Sequence, residues 1–431
     1  MMLTGRTALL AALGIVVVLV HPDVSTVLWW LVVVAALVGI DLCLAPATTS
    51  LAAQRLPVRP VRLGDSSAST LTLRNTGSRE LRGAVRDAWQ PSAGARGERM
   101  PVRLAAGEQT RLVVELTPTR RGDRRADRLT TRTSGPLGLA MRQRSVEVPG
   151  AVRALPAFPS RRHLPSRLAQ LRQIDGRSAV RTRGQGTEFD SLRDYVDGDD
   201  VRSIDWRATA RRQHPVVRTW QPERDRRVVI VLDTSRTSAG RIGDSTRLDV
   251  GMDATLLLTA LASRAGDRVS FLAGDRTVRS RVAGVSDRAE LLHTVINAMA
   301  TVEPALVEAN WRTLLGAGSA LPKQRSLLVL VTPLEPAAIQ EGLLPVVANI
   351  ALRHRVVIAS VADPGVRAMA GRRDSTEQAY DASAAERTEL LRNDTRIALE
   401  RLGVTVLDEE PDALPVALVD HYLLLKSRGL L

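Results

Sequence analysis

Two apolar runs at the amino end constrain this chain more than any other feature. Thr7 to Val20 (TALLAALGIVVVLV) carries no charge, His21, Pro22 and Asp23 interrupt it, and Val24 to Ile40 (VSTVLWWLVVVAALVGI) is apolar again until Asp41. With flanking residues, each run approaches the roughly 17–25 residues of a membrane-crossing helix. The polar break leaves room only for a tight turn. The expectation is a hairpin within residues 1–45, with helices over about 5–21 and 24–42. Trp29 and Trp30 stand near the start of the second run, where an interfacial aromatic belt would place them. A cleaved leader would need a small-residue site after the first run, and His-Pro-Asp is a poor one. Arg6 precedes the first run, Arg55, Arg59 and Arg62 follow the second, and the tip has neither Lys nor Arg. The positive-inside rule then predicts a two-pass protein of the cell membrane with its N- and C-terminal parts cytoplasmic.

Beyond the hairpin the periodicity changes twice. Residues 56–158 hold short alternating stretches such as STLTLRNTG and TRLVVELTP, separated by Gly, Pro, Asn and Ser. Apolar residues recur at period two, Leu71 and Leu73, then Leu112, Val114 and Leu116, as in half-buried strands. A small β-sandwich of immunoglobulin-like shape is predicted there. Residues 160–227 form an arginine-rich connector. From 228 to 431 short apolar strands (VVIVLD, RVSFLA, SLLVLVT, RVVIASVAD, VTVLD) alternate with amphipathic helices over 248–265, 287–300, 337–352, 384–402 and 414–425. That alternation predicts a doubly wound α/β domain with a mostly parallel sheet.

Charge is uneven. The net charge is +14, and all but two of the 60 basic residues are arginine. Between Pro118 and Arg183 there are 16 Arg against four acidic residues. Such a stretch suits an anionic lipid surface or nucleic acid. A membrane tether favours lipid over nucleic acid, and a solvated arginine face is the simplest reading of all. The single cysteine, Cys43, allows no internal disulfide and no cysteine metal site. Walker A, G-x-G-x-x-G after a strand, H-E-x-x-H and G-x-S-x-G are all missing, so the sequence offers no catalytic constellation.

The first strand of the α/β region ends at Asp233, followed by Ser235 and Thr237 at alternate positions. A carboxylate and two hydroxyls at the carboxyl end of a strand can converge on a hard cation such as Mg²⁺. Asp233-x-Ser235-x-Thr237 resembles the Asp-x-Ser-x-Ser adhesion-type metal site of von Willebrand A domains. Upstream, GQGTEFDSLRDYVDGDDVRSIDWRATARRQHPVVRTWQPERDRR resembles the signature of the bacterial domain-of-unknown-function 58 family. The matching positions are Gly184, Gly186, Glu188, Phe189, Leu192, Arg193, Tyr195, Gly198, Asp199, Asp205, Trp206, Ala210, Arg211 and Glu223. Arg120 to Gly122 and Pro136 to Leu139 also match, so the resemblance extends over the whole chain.

The resemblance implies a von Willebrand A-like domain and a MoxR-type AAA+ ATPase as partner, in an adaptor or scaffold role without catalysis. It also implies a loop threonine as metal ligand, for which Thr313 is the candidate, and an aspartate where Pro333 stands. Without that second carboxylate, only weak Mg²⁺ binding is expected. The acidic residues from Glu188 to Asp205 lack EF-hand spacing. Ion pairs with the interleaved arginines, fixing the segment against the α/β domain, are expected instead, and Trp206 and Trp220 read as core or interface anchors. Arg236 and Glu335, on loops at the carboxyl edge of the sheet, are the expected partner-binding residues. Two other classes remain as alternatives: a Mg²⁺-dependent hydrolase centred on Asp233, which would need Glu335 as second carboxylate, and a lipid or nucleic-acid binder using the arginines of 118–183.

Overall fold

The computed structural model describes residues 2–181, 188–221, 226–285, 287–316 and 325–431. The side chains of 175–181, 188–191 and 219–221 are not described. The chain divides into two compact units, Met1–Leu155 and Pro156–Leu431.

The first unit opens with helices Gly5–Val20 and Val24–Leu44, close to the expected limits. Most of their side chains are exposed and apolar. The second helix is long and apolar enough to cross a membrane, whereas the first is a shorter apolar helix. At 1.5 Å per residue they measure about 24 and 31 Å. Gly14 makes room for the Trp30 ring, with which any side chain there would collide.

Both helices end on one loop of the β-region. Asp41, fully buried, accepts from the backbone N–H of Leu137 (2.8 Å), Leu139 (2.7 Å) and Ala140 (3.0 Å). At the start of the first helix, Thr4 donates to the carbonyl of Gly138 at 2.7 Å, and Thr7 donates to that of Leu139. Pro136 to Leu139, singled out in the sequence, is thus the loop that the two helix ends share.

The sandwich behind this loop begins at Leu51, five residues before the expected boundary. One sheet contains Leu81–Trp89, Arg99–Leu104, Gly122–Ser134, Ala140–Val146 and Ala151–Leu155, and the other Leu51–Arg55, Ser67–Asn75 and Gln109–Leu116. Leu71, Leu73, Leu112, Val114 and Leu116, the period-two residues, share a core with Leu81, Val85 and Leu129. Inside this unit Arg55 makes a bidentate pair with the fully buried Asp87 (2.9 and 2.7 Å) and lies over the Trp89 ring.

The second unit is built on a six-stranded sheet. Its strands are β1 (Arg227–Asp233), β2 (Arg268–Gly274), β3 (Val278–Val282), β4 (Leu327–Val331), β5 (Arg355–Val361) and β6 (Thr405–Glu409). Their spatial order is β3-β2-β1-β4-β5-β6, and only the β2–β3 pair is antiparallel. The chain leaves β1 to one side for β2 and β3, and returns to the other side for β4. That reversal makes a topological switch point between β1 and β4, where open α/β sheets bind ligands. Helix Arg247–Arg264 is buried at Leu248 and from Val250 to Ser263, and Thr246 caps its start. Trp311, Leu314, Ile339, Leu343, Val347 and Leu399 pack on Val229, Val231, Leu328, Leu330, Val356 and Ile358 in a second apolar layer.

The single helix expected over 337–352 is broken. Pro336–Ala338 leads into a π-helical turn at Ile339–Leu343, and Leu344–Ala351 follows. Pro345 has no N–H to return to the carbonyl four residues back, so a regular α ladder cannot pass through it. The helix expected from 384 begins at Thr376, where Ser375 caps it.

Candidate functional site

Asp233 ends β1 at the switch point, beside β4. Its side chain is 1% exposed, yet it is well supplied with donors. The Ser235 backbone N–H donates to Oδ1 at 2.8 Å, which folds the loop back on the strand. The Thr332 hydroxyl donates to Oδ2 at 2.7 Å, and the Thr237 hydroxyl lies 3.3 Å from the same oxygen. Ser235 and Thr237 bond each other at 3.0 Å. Burial pushes the Asp233 carboxyl above the usual carboxylate range, and the donors from Ser235 and Thr332 pull against that shift. The structure therefore brings together Asp233, Ser235 and Thr237, as the spacing predicts.

The fourth group is Thr332, one residue beyond β4, and not Thr313. Thr313 lies exposed in the helix Trp311–Gly316, where its backbone N–H donates to Asn310 Oδ1 at 3.0 Å. Thr332 reaches Asp233 because β1 and β4 are neighbours, a contact across 99 positions of sequence. Pro333 is buried where a second carboxylate would stand. A site of one carboxylate and three hydroxyls, already bonded to one another, fits a hard dication poorly. Among the described residues no group of three or more His, Cys, Asp or Glu is arranged to hold a metal.

The loop after β1 is pinned from the opposite side. Thr234 donates to Asp275 at 2.9 Å, and Arg279 reaches the same carboxylate oxygen at 2.9 Å. Against the cost of burial, these bonds hold Asp275 below the usual carboxylate range. Backbone bonds from Ala305 to Thr234 (2.8 Å) and from Arg236 to Val307 (2.9 Å) lay a second loop over it.

The rim above this buried centre is charged. Arg236 is exposed and pairs with Glu308, which holds its guanidinium above the usual value. Glu335 lies 3.8 Å from Arg247, and it does not reach Asp233. Burial, and then the neighbouring Arg392, lowers the pKa of Arg247. Arg392 itself is buried and bonds Asp408 at 2.6 Å. The Leu334 N–H donates to Ser360 Oγ at 2.9 Å, which fixes the turn carrying Pro333 and Glu335.

The family signature upstream folds into a lobe of its own. Strands Glu188–Asp194 and Val216–Gln221 pair antiparallel, and helix Trp206–Arg212 lies between them in sequence. Arg193 grips Asp199 with two bonds of 2.7 and 2.6 Å, and the Val196 N–H donates to Asp199 at 3.0 Å. Asp205 caps the helix through the N–H groups of Arg207 and Ala208 and also takes Arg218 at 2.8 Å. Gly198 turns the chain at a φ of +105°. The Tyr195 N–H donates to the Pro215 carbonyl at 2.9 Å. Among the described residues these ion pairs lie inside the lobe and not against the sheet, unlike the expectation: their carboxylates meet arginines and N–H groups of the same motif. Trp206 is 70% exposed and is no core anchor, and Arg211 is exposed as well. Gly184, Gly186 and Glu223 lie outside the described residues, as do the side chains of Glu188, Phe189 and Trp220.

Comparison with known proteins bears on this same stretch. The family model described as a protein of unknown function, DUF58, matches residues 191–405, from the lobe through the start of β6. The chain belongs to the DUF58 family. Uncharacterized proteins Rv1480 of Mycobacterium tuberculosis and Mb1516 of Mycobacterium bovis are each 30% identical over 184 residues, 42% of this chain. The match covers 56% of their length, so the chain spans little more than half of these curated relatives. Among solved structures, BatB of Bacteroides thetaiotaomicron matches at 12% identity over 47% of this chain and 99% of its own, with a TM-score of 0.29. An aerotolerance-related membrane protein of Bacteroides fragilis matches at 11% over 46% and 98%, also at 0.29. Likenesses this slight assign no function to the DUF58 chain.

Proposed function

We propose that this DUF58 protein is a membrane-tethered adaptor without catalysis, whose von Willebrand A-like domain binds a protein partner at the carboxyl edge of its sheet. The observation that carries the reading is the state of Asp233. A carboxylate 1% exposed and bonded by Ser235, Thr237 and Thr332 holds loops in place and is closed to a substrate. The surrounding rim offers charged side chains in pairs, Arg236 with Glu308 and Glu335 with Arg247. An exposed pair such as Arg236 with Glu308 is individually weak and exchanges readily for a partner's charges, and Glu335 at 3.8 Å from the half-buried Arg247 is loosely held. The hydrolase alternative needs a second carboxylate beside Asp233, and Glu335 is turned to Arg247.

The sheet order β3-β2-β1-β4-β5-β6 with an antiparallel β3, and the Asp-x-Ser-x-Thr loop at its switch point, support the von Willebrand A-like reading. A two-pass topology is supported by the loop at Pro136 to Leu139, which bonds both the start of the first helix and the end of the second. In that arrangement both helix ends would leave the bilayer on one side, and the arginine flanks favour the cytoplasm for it.

The partner that the family resemblance names is a MoxR-type AAA+ ATPase. The purified chain and its cognate ATPase should associate in EDTA, because no bridging ion is needed. Arg236→Glu or Glu335→Arg should weaken the association with the fold intact. An ATPase that binds both variants as tightly as the native chain would move the contact away from this edge.

A further inference from the structure

The signature lobe shows an asymmetry that its internal bonds do not explain. Its carboxylates are largely committed: Asp199 to Arg193, Asp205 to Arg218 and to the helix start, and Asp194 to His214 at 2.8 Å. The helix Trp206–Arg212 points the other way. At 100° per residue, Trp206, Ala210, Arg207 and Arg211 fall on one side, and all four are exposed. Ala208 and Thr209, half-buried, fall on the other together with the exposed Arg212 of the last turn, and there Thr209 Oγ1 accepts the Val216 N–H at 3.0 Å. The outer face thus carries a tryptophan 70% exposed and two arginines, with no carboxylate among them. No ion pair among the described residues involves Arg207 or Arg211.

We propose that the outer face of helix Trp206–Arg212 is a docking surface for an acidic protein segment that carries an apolar side chain. Trp and Arg are the residues that most often dominate protein contacts, because a large flat ring and a forked cation combine apolar area with bidentate recognition of carboxylates. Two unpaired guanidiniums beside the ring give the charge complementarity that selects an acidic partner. An anionic lipid surface would satisfy the arginines equally well. A lipid surface, however, is broad and would also meet the exposed Asp197 and Asp200 of the same lobe, whereas a peptide segment can lie along this helix alone. The proposal rests on the reading that the chain works through protein contacts. It lies on a different element from the rim of Arg236 and Glu335, so each can fail without the other.

The test uses the full chain in neutral-lipid nanodiscs and fluorescein-labelled helical peptides of equal length, one of Leu, Ala and Glu, the other of Leu, Ala and Lys. Anisotropy should show binding of the acidic peptide only, weakening as salt rises. Trp206→Ala and the double change Arg207→Glu with Arg211→Glu should each weaken it at least tenfold, with unchanged circular dichroism. Arg211→Lys should lose part of the binding, since the charge stays and the fork goes, and Arg401→Glu, exposed on another helix, should lose none. The proposal is overturned if the acidic peptide does not bind, if both peptides bind alike, or if the lobe variants bind as the native chain does. It is also overturned if phosphatidylglycerol vesicles are bound through these residues while the acidic peptide is not, which would make the face a lipid site.

Discussion

Replacing Thr332 by Val tests whether Asp233 is a hydrogen-bonded anchor. The substitution removes one donor, 2.7 Å from Oδ2, in a place where Thr332 is 4% and Asp233 1% exposed. Water cannot easily replace it. A hydrogen bond to a charged group is worth about 1.5–3 kcal/mol, and losing it leaves a buried oxygen short of a partner. Urea unfolding of the fragment from Pro156 onward should therefore show a loss of about 2 kcal/mol, with little change in slope.

The sign of the pH dependence follows from the carboxyl. Its folded pKa lies above the unfolded value, so the folded state holds the proton longer. The stability tied to that proton is complete below the unfolded value of 3.8 and is lost as pH rises through the folded one. The Thr332 donor favours the ionised form. The penalty of Thr332→Val should accordingly grow as pH rises through the folded value, and millimolar Mg²⁺ should not restore it. A cost under about 0.5 kcal/mol across the whole pH titration, the range of an ordinary surface substitution, or full rescue of the native chain's stability by Mg²⁺ after EDTA, would refute the anchor reading.

Three further outcomes follow from particular contacts. Burial raises the Asp253 carboxyl to about 6, even though Ser160 donates to it at 2.7 Å. Stability should fall between about pH 4 and 6 by about 2–3 kcal/mol, and urea titrations of Asp253→Asn should lack that slope. Asp41→Ala strands the N–H groups of Leu137, Leu139 and Ala140, so limited proteolysis should cut the chain near this loop much faster than in the native protein. A phosphatase reporter fused after Leu431 should be inactive and a fluorescent protein fused there bright; strong phosphatase activity would reverse the orientation.

The parts legible in the sequence are those whose environment is uniform along the chain. Strands β1, β2, β4 and β5 are buried on both faces, so they read as unbroken apolar runs. The edge strand β3 alternates exposed and covered residues in Val-Arg-Ser-Arg-Val and follows β2 after a short turn, which left no separate signal. The early start of helix Thr376–Arg401 was hidden because its first turns are polar and mostly exposed. At the candidate site, Asp233, Ser235 and Thr237 are local in sequence and could be found from spacing alone. Thr332 could not, since only the pairing of β1 with β4 brings it to Asp233. Its position directly after an apolar strand was the one available hint. For Trp206 the sequence left core and interface open, and only the turn of a short helix shows that it faces outward.

In the proposed adaptor, the rim of the sheet above a closed Asp233 makes a metal-independent protein contact. Titration calorimetry of the full chain in nanodiscs against the proposed partner, a MoxR-type ATPase, in EDTA and with each nucleotide state in turn, decides whether it does. Saturable binding is expected, unchanged by Mg²⁺ beyond its effect on the nucleotide and weakened by Arg236→Glu and Glu335→Arg. Binding in no nucleotide state, or binding that appears only with a divalent ion and vanishes with Asp233→Ala, would contradict it.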